Sequence, residues 1–437
     1  MAKLPLPVDS EQEIALLIGA QLRSRRGGWD VHDSMDELAL LADTAGAKVA
    51  DRIICHLVSV HPATFIGKGK VAQIADQAKE AHATVVIFDD ELSPAQSRNL
   101  EDALGVKVID RTQLILDIFA QHARTKEGGL QIELAQLQYL LPRIRELWTG
   151  FEQQKGGIGL RGPGERQLEL DRRRIQERIT RIGKAIEDVR GHRAEQRRGR
   201  RRHGWALITL VGYTNAGKST LLNNLTGSSV EACDRLFATL DPTTRQISLP
   251  NNQPALITDT VGFIRKLPHH LVESFKATLE EVIEADLLLH VIDASHPRVD
   301  EQIEAVEKVL RELGVKEKPI LPVLNKIDLT AAQNQWGRLS SKLGRAIPVS
   351  ALTGEGLDAL RDELADFLRS RSTQVELRIP ASQGKLIASI RSAGKVLSAK
   401  YGDDGFVRVV ASVPGRLYGH CEPFLVKGAG QKKDKGS

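Results

Sequence analysis

The stretch Leu207-Ile208-Thr209-Leu210-Val211-Gly212-Tyr213-Thr214-Asn215-Ala216-Gly217-Lys218-Ser219-Thr220 constrains this chain more than any other. An apolar, partly β-branched run reads as a buried strand. It ends in Gly212-x-x-x-x-Gly217-Lys218-Ser219, and a helix-like run, Thr220-Leu221-Leu222-Asn223-Asn224-Leu225, follows at once. Strand, glycine loop and helix N-terminus in that order make a phosphate cradle. Gly212 and Gly217 let the backbone curl, so that the N–H groups across Tyr213, Thr214, Asn215 and Ala216 turn inward. Lys218 is placed to reach β- and γ-phosphates, and the Ser219 hydroxyl to ligate Mg²⁺. What this loop serves has to come from the rest of the chain.

With 437 residues, 41% hydrophobic and 27% charged, the chain has room for about three domains. Its net charge of +5 is mild, so the placement of basic residues matters more than their sum. Cys55, Cys233 and Cys421 lie far apart with no CxxC pair, which argues against a disulfide framework or a zinc site. Met1 to Gln12 carries Pro5, Pro7, Asp9 and Glu11 and is not a signal peptide. No apolar run approaches the ~20 residues of a membrane span. A cytoplasmic protein is expected, with at most a peripheral membrane association.

Residues 1–125 alternate strand and helix signals. Strands are predicted over Ile53–Val60, Thr84–Phe88 and Val106–Ile109, and helices over Val71–Ala81, after Ser93-Pro94, and over Arg111–His122. This rhythm argues for a parallel sheet covered by helices. Gly67-Lys68-Gly69-Lys70 lacks the frame of a second phosphate loop and reads as a turn, and Asp89-Asp90-Glu91 as a solvated loop or helix cap. Over residues 126–203 the alternation stops. Leu130, Leu134, Leu137, Leu140 and Leu141 recur at helical spacing, a glycine-rich run spans Gly156–Gly164, and Glu165 to about Arg200 reads as a long polar helix. The simplest picture is a helical hairpin with a glycine-rich tip. Its second helix is dense in arginine. Acid partners (Glu165, Glu169, Asp171, Glu177) accompany the first half, but beyond Val189 only Glu195 does. That surplus suits nucleic-acid phosphate.

Residues 204–371 carry further short patterns, each at a strand end. Phe237-Ala238-Thr239-Leu240-Asp241 is a candidate mobile segment, with Thr239 as a second Mg²⁺ ligand. Asp259-Thr260-Val261-Gly262 offers a carboxylate that can hold Mg²⁺ through water and a glycine N–H for the γ-phosphate. In Asn325-Lys326-Ile327-Asp328, the Asp328 carboxylate can accept from the two N–H donors of guanine, and Asn325 can hold the other edge of the base. Adenine would leave that carboxylate unpaired. Ser350-Ala351-Leu352 offers a backbone N–H to the guanine oxygen. In this order the patterns read as a Ras-like GTPase; kinases and AAA-type ATPases would lack Asn-Lys-x-Asp. Lys218, Thr239 and Gly262 are the candidate catalytic positions. Phe263 stands where Ras-like switches carry a water-orienting glutamine, so slow unaided hydrolysis is expected. Residues 372–427 read as a small α+β unit, with strands over Val375–Ile379 and Phe406–Val413 and a helix over Gly384–Ser398; residues 428–437 read as a disordered basic tail.

The whole resembles the HflX family of ribosome-associated GTPases. The resemblance rests on Gly157-Ile158-Gly159-x-Arg161-Gly162-Pro163-Gly164-Glu165-x-Gln167-Leu168-Glu169-x-Asp171-Arg172-Arg173, Asp90-Glu91-Leu92-Ser93-Pro94, Phe237 to Thr243, and Asp259 to Phe263. Arg166 and Leu170 stand where the family carries Thr. The resemblance implies a multidomain α/β architecture. Its parts are an N-terminal parallel α/β subdomain, a helical hairpin, a Ras-like GTPase domain and a small C-terminal domain. It implies a monomer that binds GTP and GDP with Mg²⁺, binds the large ribosomal subunit (ribosomal RNA and proteins) with the tip toward the peptidyl transferase centre, and splits stalled ribosomes under stress. It also implies hydrolysis raised by the subunit, and an association of ATP with the N-terminal region that no residue pattern specifies. The alternative from another class is a nucleotide-gated binding module for a protein or membrane partner, with incidental turnover.

Overall fold

The computed structural model describes residues 12–23, 30–148, 163–202, 205–227, 236–237, 239–250, 253–266, 279–315, 318–370, 372–402 and 404–426. The glycine-rich tip and the basic tail lie outside them. The chain divides into two compact units: residues 1–187 with 233–241 and 264–276, and the remainder. Two short excursions from the nucleotide-domain sequence thus belong to the first unit.

The first unit runs β1 (Ile14–Leu22), α1 (Val31–Thr44), β2 (Lys48–Leu57), α2 (Lys68–Glu80), β3 (Val85–Phe88), α3 (Pro94–Leu104), β4 (Lys107–Asp110), α4 (Arg111–His122) and α5 (Lys126–Trp148). α6 (Pro163–Arg202) follows, and the division between the units falls within it. The sheet is parallel in the order β2-β1-β3-β4, with Ala15 opposite Val85 and Val85 opposite Lys107. Leu16, Ile18, Ile74, Val86, Phe88 and Leu100 fill its core. α3 starts as its sequence reads: Ser93 accepts from the Gln96 N–H, Gln96 reaches back to the Ser93 N–H, and Pro94 takes the first turn. Gly67 precedes α2 as its N-cap, in keeping with a turn.

The alternation predicted from Ile53 onward leaves out β1 and α1, and β1 is an inner strand of the sheet. Its five consecutive buried residues, Ala15 to Gly19 in pattern, show none of the period-two alternation that marks a half-exposed strand. Asp89-Asp90-Glu91 also differs from expectation: Asp89 is buried rather than solvated.

The second unit holds β5 (Ala206–Gly212), α7 (Lys218–Thr226), β6 (Thr243–Leu249), β7 (Gln253–Asp259), α8 (Glu280–Glu284), β8 (Leu287–Asp293), α9 (Val299–Glu312), β9 (Ile320–Asn325), α10 (Thr330–Leu343), β10 (Ile347–Pro348) and α11 (Leu357–Ser370). Its sheet has the order β10-β9-β8-β5-β7-β6, parallel except for β6. Leu210, Leu221, Leu222, Ile257, Leu289, Val323 and Leu364 share one core, so α11 is integral to this sheet. β11 (Ser372–Pro380), α12 (Gly384–Ala393), β12 (Lys395–Tyr401), β13 (Phe406–Pro414) and α13 (Gly415–Cys421) follow, with an antiparallel sheet β11-β13-β12. The helix expected to reach Ser398 stops at Ala393. From Lys395 the chain pairs with β13, and a Cβ on Gly394 would meet the Ser412 carbonyl at 2.7 Å. Among the described residues no helix is long and apolar enough to cross a membrane.

Candidate nucleotide site

β5 delivers Gly212 to the end of an inner strand, and α7 begins at Lys218, so the glycine loop bridges the two. Gly212 has no room for a side chain, because a Cβ would lie 2.3 Å from the Val291 carbonyl oxygen. Gly217 is left-handed (φ 89°), and its Cβ would lie 2.2 Å from Asn325 Nδ2. Lys218 is buried, and its Nζ donates to the carbonyls of Gly212 (3.2 Å) and Tyr213 (2.7 Å). Burial lowers its pKa to about 8, against the opposing pull of the Asp259 charge. The ammonium is therefore held at the mouth of a loop whose own N–H groups favour an anion.

The Asp259 segment is stitched to this loop. Phe263 donates its N–H to the Gly212 carbonyl (3.1 Å), and Thr214 donates its own to the Phe263 carbonyl (2.8 Å). The Phe263 ring is buried. Thr260 Oγ1 donates to the Leu210 carbonyl at 2.7 Å, and Val261 is buried. Thr260 and Val261, read from sequence among the nucleotide contacts, thus spend their side chains on the frame. A Cβ on Gly262 would meet Thr214 Cα at 2.8 Å and Lys218 Nζ at 2.9 Å, so only glycine leaves the lysine where it is.

Ser219 Oγ donates to Asp259 Oδ2 at 2.6 Å. A hydroxyl and a carboxylate at this spacing are the hard oxygen donors that suit Mg²⁺. Among the described residues no three His, Cys, Asp or Glu side chains could hold a metal. A cation here would draw its other ligands from phosphate and water.

At the far side of the sheet, Asn325 ends β9. Its Nδ2 donates to the Ala216 carbonyl (2.8 Å), and its Oδ1 accepts the Ala351 N–H (2.9 Å). The sequence reading put this side chain on the base. The structure makes it a brace between the phosphate loop and Ser350-Ala351-Leu352, and it takes the Ala351 N–H in doing so. Ser350 Oγ accepts the Thr353 N–H. Lys326, at φ 65°, pairs its ammonium with Asp293 at 2.7 Å. Ile327 donates to the Val349 carbonyl. Asp328 stays exposed at the start of the turn into α10, and Leu352 is exposed as well. Neither Asp293 nor the bracing by Asn325 was legible in sequence.

Of the segment Phe237 to Asp241, Ala238 lies outside the described residues, and the remainder belongs to the first unit. The Phe237 ring is buried, edge-to-face on Phe119 at 4.6 Å. Leu240 is buried and Thr239 half-buried. The Asp241 carboxylate accepts the N–H groups of Arg124 (3.0 Å) and Thr125 (2.9 Å) and the Thr125 hydroxyl. Phe237 and Asp241 were read as nucleotide contacts; here their side chains are engaged within the first unit.

Four family models match the chain: a GTP-binding GTPase N-terminal region (residues 32–120), a GTP-binding GTPase middle region (122–200), a 50S ribosome-binding GTPase (207–326) and the HflX C-terminal domain (338–433). The GTPase HflX of Lacrimispora saccharolytica is 49% identical over 89% of this chain and 91% of its own length. The chain belongs to the HflX family of GTPases. The GTPase HflX of Escherichia coli is 46% identical over 87% of this chain and 90% of its own. A solved GTP-binding protein from Sulfolobus solfataricus in complex with GDP is 29% identical, covers 81% of this chain and 98% of that one, and superposes with a TM-score of 0.44. This HflX-family chain is thus a GTP hydrolase built on an α/β nucleotide domain.

Proposed function

We propose that this GTPase binds the large ribosomal subunit, is stimulated by it, and uses GTP to split or rescue stalled ribosomes. In this reading the chain works as five parts: residues 1–125, 126–203, 204–371, 372–427 and a tail, 428–437. The observation that carries the reading is Phe263: a buried ring occupies the position from which a glutamine would orient water. An enzyme without that group depends on a partner to complete its site. The match of residues 207–326 to a family described as 50S ribosome-binding names the partner's class. The arginines of α6 supply the charge for it. Arg173, Arg174 and Arg178 are partly spent on Glu177, Asp171 and Glu133.

The N–H groups of residues 212–219 and the Lys218 ammonium bind the β- and γ-phosphates, and Asp328 selects guanine. Gly262 presents its N–H to the γ-phosphate. Ser219 and Thr239 are the direct ligands of Mg²⁺, with Asp259 acting through water; the cation supplies charge neutralisation along the β–γ bridge. Water attacks the γ-phosphorus, its bond to the bridging oxygen breaks, and GDP leaves with that oxygen's electron pair.

The test is GTP turnover with and without purified large subunits, with subunit splitting followed in parallel. Turnover should rise and 70S particles should dissociate. An unchanged rate would leave the alternative, a nucleotide-gated binding module with incidental turnover.

A further inference from the structure

Thr239 lies between two anchors within the first unit. On one side, the Phe237 ring packs on Phe119 near the end of α4. On the other, the Asp241 carboxylate takes the N–H groups of Arg124 and Thr125 and the Thr125 hydroxyl, immediately before α5 begins at Lys126. Thr125 is itself the cap of that helix, since its Oγ1 accepts the Gly128 N–H at 3.0 Å. Asp241 therefore grips the end of a 23-residue rod, about 34 Å long, that leads toward the hairpin tip.

The fit is close on one side only. A Cβ on Gly128 would lie 2.6 Å from Asp241 Oδ1 and 3.2 Å from Thr125 Oγ1, whereas a Cβ on Gly129 meets nothing within 4 Å. Two neighbouring helical glycines thus differ in a single respect, whether they leave room for the Asp241 carboxylate.

We propose that Asp241 is a positioning residue that couples Thr239 to the first turn of hairpin helix α5, so that a displacement of the hairpin is felt at the nucleotide site. The coupling names the route by which a bound ribosomal subunit stimulates hydrolysis, and it rests on that reading and on Thr239 as a site residue. Asp241 then acts through the backbone, two residues from Thr239, and touches no substrate.

Gly128→Ala and Gly129→Ala test this as a matched pair. Both raise helix propensity equally, and only the first expels Asp241 from its seat. Thr125→Ser and Thr125→Val form a second pair that keeps or removes the hydroxyl. For each variant, kcat for GTP is measured with and without large subunits, together with GDP affinity, which does not draw on Thr239. Gly128→Ala and Thr125→Val should lower kcat about ten-fold or more in both conditions, since a displacement near 1 Å at a positioned group is costly. Their GDP affinity should be unchanged, and Gly129→Ala and Thr125→Ser should stay within about two-fold of wild type. The proposal is overturned if Gly128→Ala keeps wild-type kcat, or if Gly129→Ala falls with it. It is also overturned if GDP affinity drops in step with kcat. Should subunits fail to stimulate even the wild type, the ribosomal reading falls, while the basal kcat of the glycine pair still decides the coupling.

Discussion

Strand-end carboxylates occupy the same topological place in the two parallel sheets and meet different partners there. In the first unit, Asp89 follows β3 and takes Arg111 (2.8 Å), Lys266 and the Ser34 hydroxyl (2.7 Å). Burial alone would raise its pKa, but Arg111 and Lys266 outweigh that and hold it below the usual carboxylate range. Asp110 ends β4 and takes the Tyr139 hydroxyl (2.9 Å), Arg143 (3.0 Å) and the N–H groups of Leu92 and Gln113. In the nucleotide domain, Asp259 ends β7 and meets the Ser219 hydroxyl, which a cation can share. Two sheets of one class thus differ in what neutralises the acid. Where the chain's own guanidinium and ammonium groups do so, the strand end is a joint. Where a hydroxyl and a glycine loop face it, the strand end can take a ligand. Fold class alone does not separate these outcomes.

The largest effect should come from breaking the joint. Arg111→Met leaves Asp89 and Glu37 buried without their guanidinium and should cost about 3–5 kcal/mol in urea unfolding. A loss under about 1 kcal/mol would mean that water enters this strand end, and the contrast between the sheets would fail. Next, Gly217→Ala forces a Cβ onto Asn325 at φ 89°, and GDP affinity should fall at least about 100-fold, near 3 kcal/mol, by fluorescence titration. Wild-type affinity would show that the loop and its Asn325 brace are not one cradle.

His290, buried on β8, sharpens the same contrast through pH. Burial, with a smaller push from Lys218, lowers its pKa to about 4. The folded chain keeps it neutral to that point, while the unfolded chain takes the proton near 6.5. Its contribution is complete above 6.5 and lost as pH falls toward 4, about 3 kcal/mol in all. Stability measured from pH 7 to 4 should show this slope, and His290→Gln should flatten it. The smallest expected effect is at the exposed Asp328. Asp328→Asn should weaken GTP binding by about 100-fold, near 2.7 kcal/mol, and improve binding of xanthosine triphosphate. Unchanged GTP affinity would remove Asp328 from the base contact.

The ligand-facing side was largely legible in sequence, because its chemistry is written in contiguous residues. Gly212 to Ser219, Asp259 to Gly262 and Asn325 to Asp328 each need only a strand end and a few residues of loop. The joint was not legible. Asp89, Arg111 and Lys266 are far apart along the chain, and nothing local distinguishes a carboxylate that will be buried with a guanidinium from one that will cap a helix. β1 was missed because a strand buried on both faces has no alternation, and β12 because a helical run continued past the glycine where the chain turns to pair with β13.

By itself, then, the sequence determined that this chain binds and hydrolyses a guanine nucleotide, and that its parts alternate between α/β and helical. Those properties follow from short-range geometry. Only the tertiary structure decided that Asn325 braces two loops, that Phe237 and Asp241 turn their side chains toward α4 and α5, and that Asp89 is a joint. Each of these depends on which distant group arrives first within hydrogen-bond reach, and burial decides whether that partner is kept.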